Sequence, residues 1–205
     1  QKIGCIPIAS LVTHRYTEIS QFVNLSGATT CVVLDKDREF NFLEMVSRVA
    51  KESETLEHII VSGDTHAGTH SLSELIETPA SRSVSDLEKI KIDPLEPAVF
   101  QLSGGTTGIP KLIPRTHNDY AYNSKQAGVV TEVEADSSLL LVLPISHNLP
   151  LACPGMQGFM FRGAKVVLST SVAAKDVFAL VEKHKITHIH VVPALLIGWI
   201  NDPSI

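Results

Sequence analysis

Ten consecutive residues concentrate chemistry: Leu102-Ser103-Gly104-Gly105-Thr106-Thr107-Gly108-Ile109-Pro110-Lys111. Glycines 104, 105 and 108 let a backbone approach an anion closely and adopt positive φ. Successive N–H groups in such a turn form a nest for phosphate oxygens. Ser103, Thr106 and Thr107 add hydroxyl donors and Lys111 adds a cation. Together these groups suit a polyphosphate. The segment is not a Walker A loop, because Gly108 and Lys111 are separated by Ile-Pro and Leu112 follows the lysine. It also lacks the dinucleotide pattern GxGxxG. The alternative, a plain Gly/Thr turn between strands, does not account for two threonines and a lysine in this order.

A second cluster is Ser146-His147-Asn148-Leu149-Pro150-Leu151-Ala152-Cys153-Pro154-Gly155, which follows an apolar run at 139–143. A His-Asn pair at the carboxyl end of a strand is well placed to contact a ligand. The other reading is a loop whose histidine caps a neighbouring helix. The remaining reactive residues carry less. His66 and His70 are four apart but have Gly68 between them in a polar stretch, which predicts a loop rather than a metal pair. His188 and His190 read as structural, and Cys5 and Cys31 as buried, inert thiols in strands. Arg115 and His117 could pair with acidic side chains or with a nucleotide.

These residues need a scaffold, and the composition provides one. The chain has 205 residues, 44% hydrophobic and 19% charged, enough for a real core and too apolar for a disordered tail. The longest clean apolar run is too short to span a bilayer, so no membrane partner is expected. The net charge is −5 with no Lys/Arg stripe, which argues against nucleic acid as a partner. Three widely spaced cysteines without a CxxC fit a reducing, cytoplasmic setting. The absence of an initial Met and the apolar runs at both ends predict a piece of something longer.

Strand and helix signals alternate. Strands are predicted at 5–11, Thr30–Leu34, 57–61, 98–102, 139–143, Lys165–Leu168 and 187–192, with 112–114 extended. A helix opening at Thr17-Glu18 puts Ile19, Phe22 and Val23 on one face, with Gly27 at its C-cap. Asn41 can N-cap a helix with a Leu43, Val46, Ala50 stripe. Residues 62–97 read as loops with one short helix near 73–77. Asn118 is predicted to start a helix reaching about Val129, Ala174–His184 is amphipathic, and Pro193 can begin a further helix. The fold class expected is α/β, with a mostly parallel sheet covered by helices on both faces.

The string LSGGTTGIPKLIPRTHNDY resembles the phosphate-binding signature of the adenylate-forming superfamily, and within it the aryl-acid–AMP ligases of siderophore synthesis. Similarity continues at Gly4-Cys5-Ile6-Pro7-Ile8, at His14-Arg15 with Glu18-Ile19, and from Ser146 to Gly155. The resemblance implies that an aryl carboxylate, 2,3-dihydroxybenzoate with salicylate as the alternative, reacts with ATP and Mg²⁺ to give aryl-AMP. The aryl group would then pass to the phosphopantetheine thiol of a carrier protein. It implies that Ser103, Gly104, Gly105, Thr106, Thr107, Gly108 and Lys111 hold the ATP phosphates. His147 would work beside Lys111 at the reacting groups. Asn148 would meet the 2-hydroxyl of the arene, with Leu149 and Cys153 also facing it. Leu149 stands where the family usually has an aromatic. Cys153 stands where dihydroxybenzoate enzymes usually have Ser and where salicylate activators have Cys.

The same resemblance makes residues 1–205 a fragment of the N-terminal, ATP- and aryl-acid-binding domain. The adenine motif, the ribose carboxylate, the magnesium-ligating Glu and the C-terminal lid would follow Ile205, so no metal ligand is named here. The 205-residue chain by itself is expected not to catalyse adenylation. The rival readings are another acyl-activating ligase and a non-catalytic phosphate-binding module.

Overall fold

The computed structural model describes residues 1–102 and 110–203. The first layer is built from α1 (Tyr16–Ser26), β1 (Thr30–Leu34), the short antiparallel pair β2 (Lys36–Asp37) and β3 (Phe40–Asn41), α2 (Phe42–Glu52), β4 (His58–Ser62) and β5 (His70–Ser71). Strands β1, β4 and β5 pair in parallel, in that order. Helix α1 ends where Gly27 takes the left-handed conformation, φ 64°. Helix α2 starts where the Asn41 side chain accepts from Glu44 N–H at 2.8 Å. Both caps are as predicted. Leu43, Val46 and Val49 of α2 pack with Val23, Ile59 and Val61 into one core. The opposite face of β1 stays open, with Val32 59% and Leu34 43% exposed, so this sheet is covered on one face among the described residues.

Two short helices follow, α3 (Leu72–Glu77) and α4 (Val84–Glu88), then β6 (Pro97–Leu102) and β7 (Leu112–Thr116). β6 and β7 are antiparallel, with Leu102 opposite Leu112. After them come α5 (His117–Val130), β8 (Ser138–Leu141), α6 (Asn148–Ala152), α7 (Gly155–Phe161), β9 (Lys165–Leu168), α8 (Ala174–His184), β10 (His188–Ile189) and α9 (Pro193–Ile200). The second parallel sheet has the order β10-β8-β9. Leu140 packs toward Val177 and Trp199, whereas Leu139 and Leu141 pack with Val133 and Phe159. This sheet is therefore filled from both faces, as period-2 alternation of an all-apolar strand requires. Phe159 is fully buried, and such a side chain contributes about 1.5–3 kcal/mol.

Several expectations need correction. Residues 5–11 are not a strand but make one parallel bridge, Ile8 to Phe100, because Pro7 has no N–H and offers only its carbonyl to Phe100. Cys5 is exposed rather than buried. Cys31 is packed, and burial pushes its thiol up to about 11, as an inert thiol requires. The helix predicted at Asn118 starts at His117, since the Thr116 hydroxyl accepts from Asp119 N–H at 3.1 Å. The strand predicted at 187–192 is only His188–Ile189. His70 is on β5, its ring 5.6 Å from that of His58, not in a loop.

Candidate functional site

The nine residues 103–111 join the facing ends of β6 and β7. Ser103, Gly104, Gly105, Thr106, Thr107 and Gly108 lie outside the described residues, whereas Lys111 immediately precedes β7. What the structure describes is the stem. Phe100 N–H donates to Pro7 and the Phe100 carbonyl accepts from Ala9, which lays residues 7–9 alongside β6.

Beside this stem is a cavity of about 190 Å³. One wall is Gln101 and Leu102 of β6 with Ile113 and Arg115 of β7, another is Ala9 and Leu11, and the third is Ser146, His147 and Asn148. The two clusters singled out in the sequence are thus brought together: His147 and Asn148 face the stem of 103–111 across one cavity. Leu149 and Cys153 are not among the residues lining it.

The capping role of His147 is visible directly. Its Nδ1 accepts from Leu149 N–H at 3.3 Å at the start of α6. With Nδ1 accepting, the neutral ring carries its proton on Nε2, which becomes a donor. Asn148 is the first residue of α6, and its Oδ1 is buried with no hydrogen-bond partner among the described residues. An unpaired buried carbonyl oxygen costs about 1–3 kcal/mol. Arg115 donates to both carboxylate oxygens of Asp119, through Nη2 at 3.1 Å and through Nε. The pair holds the Asp119 carboxyl below its ordinary range and raises the guanidinium further.

Helix α5 positions both walls. Tyr120 accepts from Gln101 Nε2 at 2.9 Å. Asn123 Nδ2 donates to the Ala152 carbonyl at 3.4 Å, and Ser124 Oγ donates to Gln157 at 3.2 Å. A Cβ on Gly158 would lie 2.9 Å from the Ser124 carbonyl oxygen, and one on Gly155 would lie 2.4 Å from that of Pro150. Gly155 also has φ 47°. Gly158 lets α7 seat against α5, and Gly155 lets α7 begin close against α6.

Sequence reasoning missed Gln101 and Leu11 as lining residues, named Ser146 only as part of its cluster, and left Arg115 open. A glutamine inside the apolar run at 98–102 was the signal available for the first. His188 is tied to the Thr131 carbonyl at 3.2 Å and packs edge-on to Phe159, consistent with a structural role. His190 sits near Phe159, its buried Nδ1 without a partner among the described residues, and burial lowers its pKa.

Comparison with known proteins gives a consistent picture. The family model described as "AMP-binding enzyme" matches residues 1–205. A salicyl-AMP ligase / salicyl-S-ArCP synthetase of Mycobacterium tuberculosis is 38% identical over 97% of this chain and 34% of its own length. A vibriobactin-specific 2,3-dihydroxybenzoate-AMP ligase of Vibrio cholerae is 37% identical over 97% of this chain and 36% of its own. The apo structure of Mycobacterium smegmatis MbtA superposes with a TM-score of 0.86 at 37% identity, covering 97% of this chain and 36% of that one. The chain spans about a third of the length of these relatives.

Proposed function

The chain belongs to the AMP-binding enzyme family, and from that premise we propose that it is the phosphate- and aryl-binding part of an aryl-acid–AMP ligase. The reaction joins a carboxylate oxygen of a hydroxylated aryl acid to the α-phosphorus of ATP and breaks the bond to the β-phosphate, releasing pyrophosphate. A carrier-protein phosphopantetheine thiol then attacks the aryl carbonyl carbon, and AMP leaves. The product would feed siderophore synthesis, and the three free cysteines fit work in the cytoplasm.

The observation that carries this reading is that His147 and Asn148 line one cavity together with Gln101, Leu102, Ile113 and Arg115 beside the stem of 103–111. The Asn148 carboxamide offers a hydrogen-bonding group for a hydroxyl, which a 2-hydroxyaryl acid has next to its carboxylate. His147 Nε2–H adds a donor on the same wall, suited to an oxygen that gains charge in the transition state. Residues 103–108 and Lys111 would hold the pyrophosphate portion of ATP. Mg²⁺ would enter with the nucleotide phosphates and lower their charge, and no residue of this chain is assigned to it. The dihydroxylated acid is the first substrate; the thiol of Cys153, a weaker hydrogen-bonding group than a hydroxyl, favours salicylate as the second.

The test is ATP–pyrophosphate exchange by the full-length gene product with 2,3-dihydroxybenzoate, salicylate and benzoate. Exchange that requires the 2-hydroxyl is expected, and so is its loss in Thr107→Val and Lys111→Ala with aryl-acid affinity retained. No exchange with any aryl acid, or benzoate used as well as salicylate, would overturn the reading.

A further inference from the structure

Strand β1 is at the end of its sheet among the described residues, where the order is β1-β4-β5. Its pairing with β4 is fixed at both ends. His58 N–H donates to the Thr29 carbonyl at 3.0 Å, and Asp35 N–H donates to the Ser62 carbonyl at 3.3 Å. In a parallel pair, alternate residues of a strand send both backbone groups to the same neighbour. Residues 29, 31, 33 and 35 therefore serve β4, and the N–H and C=O groups of Thr30, Val32 and Leu34 point the other way.

That edge borders a cavity of about 310 Å³, and Cys31, Val32, Val33 and Leu34 all line it. Successive side chains of a strand point to opposite faces, so a cavity that meets all four runs along the edge rather than over one face. Residues 10–12 and His14 make the far wall, and Ile19 of α1 and Met45 of α2 close it from the helix side. No Asp, Glu, Lys or Arg lines it. Ser10 Oγ and His14 Nδ1 are hydrogen-bonded to each other at 3.1 Å. The walls thus call for no ion and no charged ligand. They offer a row of backbone hydrogen-bonding groups beside apolar side chains, and an added strand is what satisfies both.

We propose that the free edge of β1 receives one further β-strand, an extended apolar segment of the same gene product that lies outside residues 1–205. MbtA matches this chain over 36% of its own length, so a relative of the same fold carries most of its residues elsewhere. A second folded copy is a poorer occupant, because its own β1 edge would arrive behind the same walls. The inference does not depend on which acid the enzyme activates.

The experiment uses the full-length gene product. Residue-resolved hydrogen exchange compares the Val32 and Leu34 amides with those of Cys31 and Val33. All four are expected to exchange on the order of a hundredfold or more slower than an unstructured peptide, whatever the protein concentration. A photo-crosslinking amino acid in place of Val12, which lines the cavity and is 56% exposed, is expected to join an apolar segment outside residues 1–205 without forming a dimer. Free exchange at Val32 and Leu34 beside protected Cys31 and Val33 would leave the edge open and overturn the proposal. Protection that fades on dilution, or a crosslinked dimer, would overturn it in favour of a second copy. Crosslinks confined to residues 1–205 would overturn it as well.

Discussion

Arg115, near the end of β7, and Asp119, in the first turn of α5, form a two-pronged ion pair at the edge of the cavity. The pair closes an angle between strand and helix, and it neutralises a guanidinium that would otherwise face the ligand space. Asp119→Asn is expected to lower stability at pH 7 by about 0.5–1 kcal/mol, the small range set by solvent screening of a half-exposed carboxylate. The sign with pH follows from the depressed carboxyl pKa. The contribution is present above the ordinary Asp value of about 4 and fades as pH falls through the lower folded value. Urea melts at pH 7 and pH 3 check this; an equal difference at both would rule the ion pair out as the source.

Asn148→Leu is expected to act with opposite signs on folding and on selectivity. Removing a buried acceptor that has no partner among the described residues relieves a penalty of about 1–3 kcal/mol, so the ligand-free protein should be no less stable. The preference for salicylate over benzoate in kcat/KM should fall by about tenfold or more, because the group that meets the hydroxyl is gone. A thermal melt and paired substrate kinetics measure both; a drop in Tm with preserved selectivity would contradict the assignment.

Gly158→Ala is expected to destabilise by about 1–3 kcal/mol through overpacking. The new methyl would sit 2.9 Å from the Ser124 carbonyl oxygen and 2.6 Å from the Pro154 Cβ. Chemical denaturation reads the change, and a variant as stable as the wild type would show that α7 can shift away from α5.

Cys153→Ser should improve use of 2,3-dihydroxybenzoate relative to salicylate by about 0.5–1.5 kcal/mol, the worth of one hydrogen bond to the 3-hydroxyl. Cys153 does not line the cavity beside His147, so a kcat/KM ratio that stays fixed would place the arene away from residue 153.

The parts of this molecule that were legible in the sequence are those governed by local physics. Asn41, Gly27 and the α2 stripe announce a helix and its ends, and β8 reads as a buried strand because residues 139–143 are an unbroken apolar run. The antiparallel sense of β6 and β7 was not legible, since strand direction is decided by what the intervening segment allows. Helices α6 and α7 were missed for another reason. Pro150, Gly155 and Gly158 look like breakers, yet Gly158 lets α7 dock on α5 and Gly155 lets α7 begin close against α6. In the candidate site, His147 and Asn148 stood out by type and position. Arg115 remained undecided because a carboxylate four residues on and a ligand phosphate would satisfy it equally.

Strand β8 also determines where this sequence is free to drift. Leu139 and Leu141 look into one core and Leu140 into another. Ser138 gives its hydroxyl to the Lys185 carbonyl at 2.7 Å and accepts from Thr187 N–H at 3.2 Å. No position along the strand has solvent on either side, so its permitted alphabet is three medium-sized apolar residues and one small hydroxyl. Its neighbour β9, where Leu168 is 64% exposed, has no such restriction at that end. Random mutagenesis with selection for folded protein should therefore leave β8 nearly blank while changes accumulate one strand away.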